Sequence, residues 1–247
     1  MIYYIYHSAF AIELKENILI FDFYKIPKEK KIEEQEFFKR FVERRDKQVF
    51  VFATHSHADH FNPKILEWKY LNDSIIYILS SDIKIPYSDE NFIFTREGDT
   101  LELPYKLPNS NIESKLRINT FGSTDLGSSF YVNIENKNIF HAGDLHFWHW
   151  EDDSEIEEKE MKDKYISILK EVQKLEKIDI AFTAVDPRLG ANVYEGVEIF
   201  WDILKPKVLV PMHFSDDYSA MKGFLERFKN VDVEVIEIED SMIKIME

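Results

Sequence analysis

The segment Thr54-His55-Ser56-His57-Ala58-Asp59-His60 sets three imidazoles and one carboxylate within six residues. Neutral imidazole and carboxylate are borderline and hard donors that suit Zn, Mn or Fe. In extended backbone, residues two apart share a face, so His55 and His57 point the same way. The chain then turns, and Asp59 and His60 are presented from the turn. One short loop can thus feed two adjacent metal positions. The chain holds 8 histidines in 247 residues, and three of them stand here beside an acid. A surface loop that collects them by chance is the bland alternative.

The elements around this segment suit the task. It follows QVFVFA, a continuous apolar run that reads as a buried strand. It precedes NPKILEWKYLN, a short helix opened by Asn62 and Pro63. Sites in α/β folds gather at such strand ends. Upstream, Ile2 to Tyr6, Ala9 to Leu14 and Asn17 to Phe23 read as strands, and residues 27–47 as a helix. Downstream, further strands are predicted over 74–79, 91–95, 100–103, 115–121, 128–134 and 137–141. Residues 151–177 form a long charged helical stretch, and IDIAFTAVD (178–186) a strand. A helix over 192–204, the strand KVLVPMHF (207–214) and a helix over 217–229 follow, and VDVEVIEI (231–238) with SMIKIM (241–246) make a closing pair. Two face-to-face sheets with helices outside would satisfy this order. With only 7 glycines and no Pro/Gly/Ser linker, residues 1–247 read as a single domain.

Composition narrows the partners. The formal charge is -15, a field that repels phosphate backbones and anionic lipid surfaces. Neither nucleic acid nor a membrane is expected as a partner; a small-molecule substrate is, and self-association into a homo-oligomer stays open. The absence of cysteine excludes disulfides and thiolate ligands and fits a cytoplasmic location. The N-terminus does not read as a signal peptide, and no apolar run approaches the ~20 residues that span a bilayer.

HSHADH resembles the HxHxDH signature of the metallo-β-lactamase superfamily. Phe140-His141-Ala142-Gly143-Asp144 is similar to that family's strand ending in Gly-Asp, and Val210-Pro211-Met212-His213-Phe214 to its late strand ending in a metal-binding histidine. The opening strands, with His7-Ser8 and Ile18 to Asp22, resemble the branch that contains ascorbate-6-phosphate lactonase. The resemblance covers nearly the whole chain. It implies an α/β fold, a four-layer αββα sandwich with metals at one edge of two sheets. It places His55 and His57 in site one, Asp59, His60 and His213 in site two, and Asp144 between them. One or two divalent ions are implied, Zn first and Mn or Fe as alternatives.

The family usually has a further histidine between the first cluster and the bridging aspartate, and this chain has none from residue 61 to residue 140. Thr120-Phe121-Gly122-Ser123-Thr124-Asp125-Leu126-Gly127 occupies the segment where it belongs. Asp125 is the best replacement ligand, since carboxylate oxygen binds cations better than a hydroxyl; a plain turn is the alternative, and His146 or His149 could reach in instead. Asp22 ends an apolar strand and could orient a ligand imidazole. His7 and His141 occupy family-like positions near the site, as structural histidines or supporting partners. Asp186 follows a strand at the active edge, and Arg188 is an anion-binding group or one half of a surface ion pair. Phe147, Trp148 and Trp150 are an apolar wall or plain core.

The chemistry expected is hydrolysis of a small ester, lactone or phosphoester, with Asp59 orienting the attacking hydroxide. The alternatives are a nucleic-acid phosphodiesterase and a non-catalytic metal- or ligand-binding member with an incomplete first site. A groove lined by Lys and Arg leading to the metals would favour the phosphodiesterase.

Overall fold

The computed structural model of the protein describes residues 1–106 and 113–247. One sheet contains β1 (Ile2–Tyr6), β2 (Ala9–Glu13), β3 (Asn17–Phe21), β4 (Gln48–Ala53), β5 (Ile76–Ser80) and β6 (Phe92–Thr95). The other contains β7 (Thr100–Lys106), β8 (Glu113–Phe121), β9 (Ser129–Ile134), β10 (Lys137–His141), β11 (Ile180–Ala184), β12 (Val208–Met212) and β13 (Glu234–Val235). A last strand, β14 (Ile243–Met246), returns to the first sheet beside β1. The helices are α1 (Lys31–Phe37), α2 (Glu155–Val172), α3 (Glu195–Leu204) and α4 (Met221–Phe228).

Strand alternation explains why both faces of each sheet need cover. Every residue of β4 is buried. Phe50 and Phe52 enter the core between the sheets, with Leu19 and Phe21 from β3 and Phe130 and Val132 from β9. Val49, Val51 and Ala53 face the other way, onto Phe37, Phe41, Ile65 and Trp68. A fully buried side chain of this size stabilises by about 1.5–3 kcal/mol, so helical segments must cap the outer faces. On the second sheet Tyr165 and Leu169 of α2 and Val197 and Phe200 of α3 do so. The result is the four-layer sandwich.

The two sheets repeat one plan. Each runs through three antiparallel pairings and then three parallel ones. Parallel direction brings the carboxyl ends of β1, β3 and β4 to one edge of the first sheet. It brings those of β8, β10, β11 and β12 to one edge of the second.

The structure corrects two expected elements. Residues 231–238 and 241–246 do not pair with each other: β13 extends β12 in parallel, while β14 pairs with β1 antiparallel. Each sheet has an edge there that would otherwise expose unpaired backbone. Met242, at φ 57°, makes the crossing and donates its N–H to Ile5 O at 3.1 Å. The helix expected over 27–47 forms only over 31–42 and closes in a π-turn, Phe38–Val42. That wider turn lets Phe37, Phe41 and Val42 be buried together. Beyond it Arg44 bends back onto Asp46 and Glu13.

Candidate metal centre

Six strand ends converge. His7 follows β1, Asp22 follows β3, the HSHADH loop follows β4, Asp144 follows β10, Asp186 follows β11 and His213 follows β12. The loop turns as its sequence implies: His60 N and Phe61 N donate to His57 O at 3.0 and 2.9 Å. The backbone N–H of Ser56 donates to Asp82 Oδ2 at 2.8 Å, anchoring the loop's outer side.

Asp144 lies at the middle. Its Oδ2 is 3.3 Å from His55 Nε2, and its Oδ1 is 3.0 Å from His60 Nε2 and 3.2 Å from His213 Nε2. Three groups of donors form, each with its ligand atoms within 4.8 Å of one another: His7, Asp59, His60 and His213; His55, His60 and Asp144; and His57, Asp125 and Asp144. The structure thus brings together all six residues assigned to the metals by resemblance. Asp125 joins them, with Oδ2 3.8 Å from His57 Nδ1.

The donors fit a cation. His7 Nε2, His60 Nε2, His213 Nε2 and Asp144 Oδ1 are buried, and none is aligned with a hydrogen-bond partner. Buried polar atoms left so are costly, about 1–3 kcal/mol each, and here four of them face one centre. The far side of each ring is tied down in a way that frees Nε2. His60 Nδ1 donates to Asp22 Oδ2 at 2.7 Å, and His213 Nδ1 donates to Asp186 Oδ2 at 2.9 Å. A carboxylate can only accept, so Nδ1 carries a proton in either charge state and Nε2 is the nitrogen left for a metal, which must displace any proton there. His7 Nδ1 meets Ser215 Oγ at 3.0 Å.

Charge follows from these contacts. Burial opposes charging His60, but Asp144 and Asp22 outweigh it and push its pKa up to about 10. His213 is raised in the same way, against burial, by Asp144 and Asp186. Burial pushes His7 down to about 4 despite Asp59, Nε2 to Oδ2 3.5 Å, so it stands neutral, the form that binds metal. Asp144 is held well below the usual carboxylate range: burial would raise it, and His60, His213 and His55 more than reverse that. The His7 contact likewise holds Asp59 ionised.

Backbone strain gathers here. His7, Asp22, His213 and Ser215 all have positive φ, at 59°, 45°, 74° and 48°, a region costly outside glycine. Contacts between neighbouring strand ends, within one sheet and across the two, hold them. His213 N donates to His7 O at 3.1 Å, and Asp22 accepts from Thr54 N at 2.8 Å and Thr54 Oγ1 at 2.7 Å. Glycines bring the loops close. A Cβ on Gly127 (φ 72°) would lie 2.2 Å from Thr54 O, and one on Gly143 (φ 55°) 2.8 Å from the Thr54 side chain.

The remaining sequence candidates take other places. His141 stacks on Phe21 at 5.0 Å; its Nε2 donates to Ser8 O at 3.0 Å, and its Nδ1 accepts from Gly143 N at 3.2 Å. Both nitrogens are used, so it braces the Asp144 turn. His146 is buried beneath Trp148, against Gly196, and lines neither cavity described below. His149 pairs with Glu195 at 2.8 Å. Neither of these two enters a donor group. Phe147 is core, and Trp148 and Trp150 stack at 6.1 Å beside the site. His7, read from sequence as a structural histidine or a supporting partner, stands among the donors. Its signal is spatial, the pairing of the β1 and β12 ends.

Two cavities open on the donors. One, about 360 Å³, is walled by Trp148, Trp150 and Met161 and reaches His57, Asp59, Asp125, Asp144 and His213. The other, about 530 Å³, includes His7, Phe214 and Asp216. Asp59, Arg188 and His213 line both.

No family model matches the chain. It is 27% identical over 214 residues to a UPF0173 metal-dependent hydrolase of Nanoarchaeum equitans, covering 86% of this chain and 82% of that protein. In structure it is similar to Igni18, a metallo hydrolase of the archaeon Ignicoccus hospitalis, with TM-score 0.61, 18% identity and coverage of 97% and 95%. It is also similar to YhfI, a metallo-beta-lactamase fold protein of Bacillus subtilis, with TM-score 0.57, 11% identity and coverage of 95% and 94%. Two mixed sheets between helical layers, with the donors at one edge, give this chain the metallo-β-lactamase fold.

Proposed function

We propose that the chain is a metal-dependent hydrolase of a small ester, lactone or phosphoester. The observation that carries this is the set of buried, unpartnered nitrogens and carboxylate oxygen facing one point, open to a cavity of substrate size. The relative in Nanoarchaeum equitans, named a metal-dependent hydrolase, supports it.

Site two would be held by Asp59, His60 and His213, with His7 added, and site one by His55, His57 and Asp125. Asp144 would serve both. Site two is rich in imidazole, which favours Zn, with Mn or Fe as alternatives; the carboxylate of Asp125 makes site one the harder of the pair. Bound there, divalent ions supply Lewis acidity and a water acidic enough to react near neutral pH. Asp59, partly exposed and lining both cavities, orients the nucleophile. Its ionised carboxylate takes a proton from the nucleophile and returns it to the leaving group. Trp148, Trp150 and Met161 keep bulk water from one side of the reacting bond. The lactone option rests on the likeness of the opening strands to the ascorbate-6-phosphate lactonase branch.

Among the described residues Arg188 is the only Lys or Arg lining either cavity, which disfavours nucleic acid as substrate. The test is a panel of nitrophenyl esters, lactones and phosphodiesters with metal-supplemented protein. Turnover of one class, abolished by a chelator and by Asp144→Asn, is expected. Metal-loaded protein inert on every class would contradict the proposal.

A further inference from the structure

Among the described residues, Arg188 is the one Lys or Arg that lines the two cavities beside the donors. It sits just after β11, and its guanidinium lies over the Trp150 ring at 5.9 Å. Nε and Nη2 are committed to Asp186, at 2.9 and 2.5 Å. Asp186 is itself buried and shares Oδ2 with His213 Nδ1. Nη1 has no acceptor among the described residues, and the side chain is 63% exposed on the cavity beside the donor cluster.

An arginine that served only to pair with Asp186 would need neither this exposure nor this neighbour. Bidentate seating fixes the fork before any ligand arrives, so little side-chain entropy is left to lose on binding. Because Asp186 Oδ2 accepts from both Arg188 Nη2 and His213 Nδ1, the carboxylate is shared between two side chains, and the guanidinium keeps part of its charge for the cavity. The same wall carries the Trp148–Trp150 stack, with planes 8° apart, and Met161 of α2. A cation and a flat apolar surface thus stand together within one 360 Å³ space.

We propose that this cavity takes a small organic oxyanion, with its carboxylate or phosphate group bound by Arg188 and a flat apolar body laid against Trp150 and Met161. This names the substrate class of the hydrolase proposed above and rests on that reading. Arg188 is then a specificity-determining residue. Through Asp186 it also touches the anchor of His213, so Arg188 and the metal ligand share one carboxylate.

The test is tryptophan fluorescence titration of metal-loaded protein with phenylphosphonate, benzoate and neutral benzamide. Both oxyanions are expected to bind at least roughly tenfold tighter than benzamide, the yield of one charge-assisted pair. The tighter of the two tells phosphate from carboxylate. Arg188→Gln, with metal content checked by elemental analysis, is expected to remove that advantage, and Arg188→Lys to keep part of it. Trp150→Ala, followed by calorimetry, is expected to weaken all three probes alike. Benzamide binding as tightly as the anions would overturn the proposal. So would an anion advantage that survives Arg188→Gln, since bound metal alone would then account for it. Binding is read without turnover, so an inert protein that still prefers oxyanions through Arg188 would sink the hydrolase reading alone. A working hydrolase without that preference would sink only this inference.

Discussion

Asp22 accepts hydrogen bonds from Thr54 N, Thr54 Oγ1 and His60 Nδ1, and its backbone is bent to φ 45° to reach them. It fixes one face of His60 and so aims the other. Asp22→Asn should weaken metal binding about 10–100-fold, measured by competition with a chromogenic chelator; unchanged affinity would show that His60 needs no such anchor. His60 also sets a pH dependence. Its pKa near 10 in the absence of metal means that uptake near neutral pH must displace a proton. Apparent affinity should climb with pH toward about 10, with protons released in calorimetry across buffers of unequal ionisation heat. Stability of chelator-stripped protein should run the other way. A pKa raised on folding favours the native state below the unfolded value of about 6.5, and that gain is lost as pH climbs through the folded value. Melting temperature of the stripped protein should therefore fall between about pH 6.5 and pH 10. A flat or rising profile would contradict the carboxylate contacts of His60.

The β8–β9 turn, residues 122–128, shows what an element must do to carry a ligand. Gly127 lies against Thr54 O and the Cβ of His55, and Ser128 N donates to Thr54 O at 2.9 Å. The turn is thereby pinned to the histidine loop, with Asp125 leaning toward His57. Gly127→Ala should cost roughly 1–3 kcal/mol, from strain at positive φ and the close backbone, read by denaturant unfolding, and should lower metal occupancy as Asp125 shifts. Much at this scale was legible in the sequence. HSHADH follows a buried, mostly apolar strand, and ligands two apart in extended backbone need no tertiary knowledge. Asp125 was legible only as an acid in the right segment. The splitting of 231–246 between two sheets was not legible, because β13 and β14 each read simply as strand, and nothing local says which edge lies open. Nor was the short α1, whose helix formers run on past the point where burial of Phe41 and Val42 ends it.

At the scale of the whole molecule, the donors come from the ends of both sheets, so a bound ion ties the two layers together. Ligation would stabilise by about 4 kcal/mol at a thousandfold excess over Kd. At about 2–4 °C per kcal/mol for a chain of this size, a chelator should lower the melting temperature by roughly 10 °C; no change would mean that the edge holds without metal. The sandwich itself was readable from strand and helix order together with the resemblance. His7 was not, because its place beside His213 depends on β1 and β12 lying at the same edge of facing sheets, more than two hundred residues apart. Elemental analysis of protein purified without chelator bears most directly on the centre. About two divalent ions per chain are expected, falling sharply in Asp144→Asn. Protein that folds normally yet retains no metal after equilibration with micromolar Zn or Mn would contradict it.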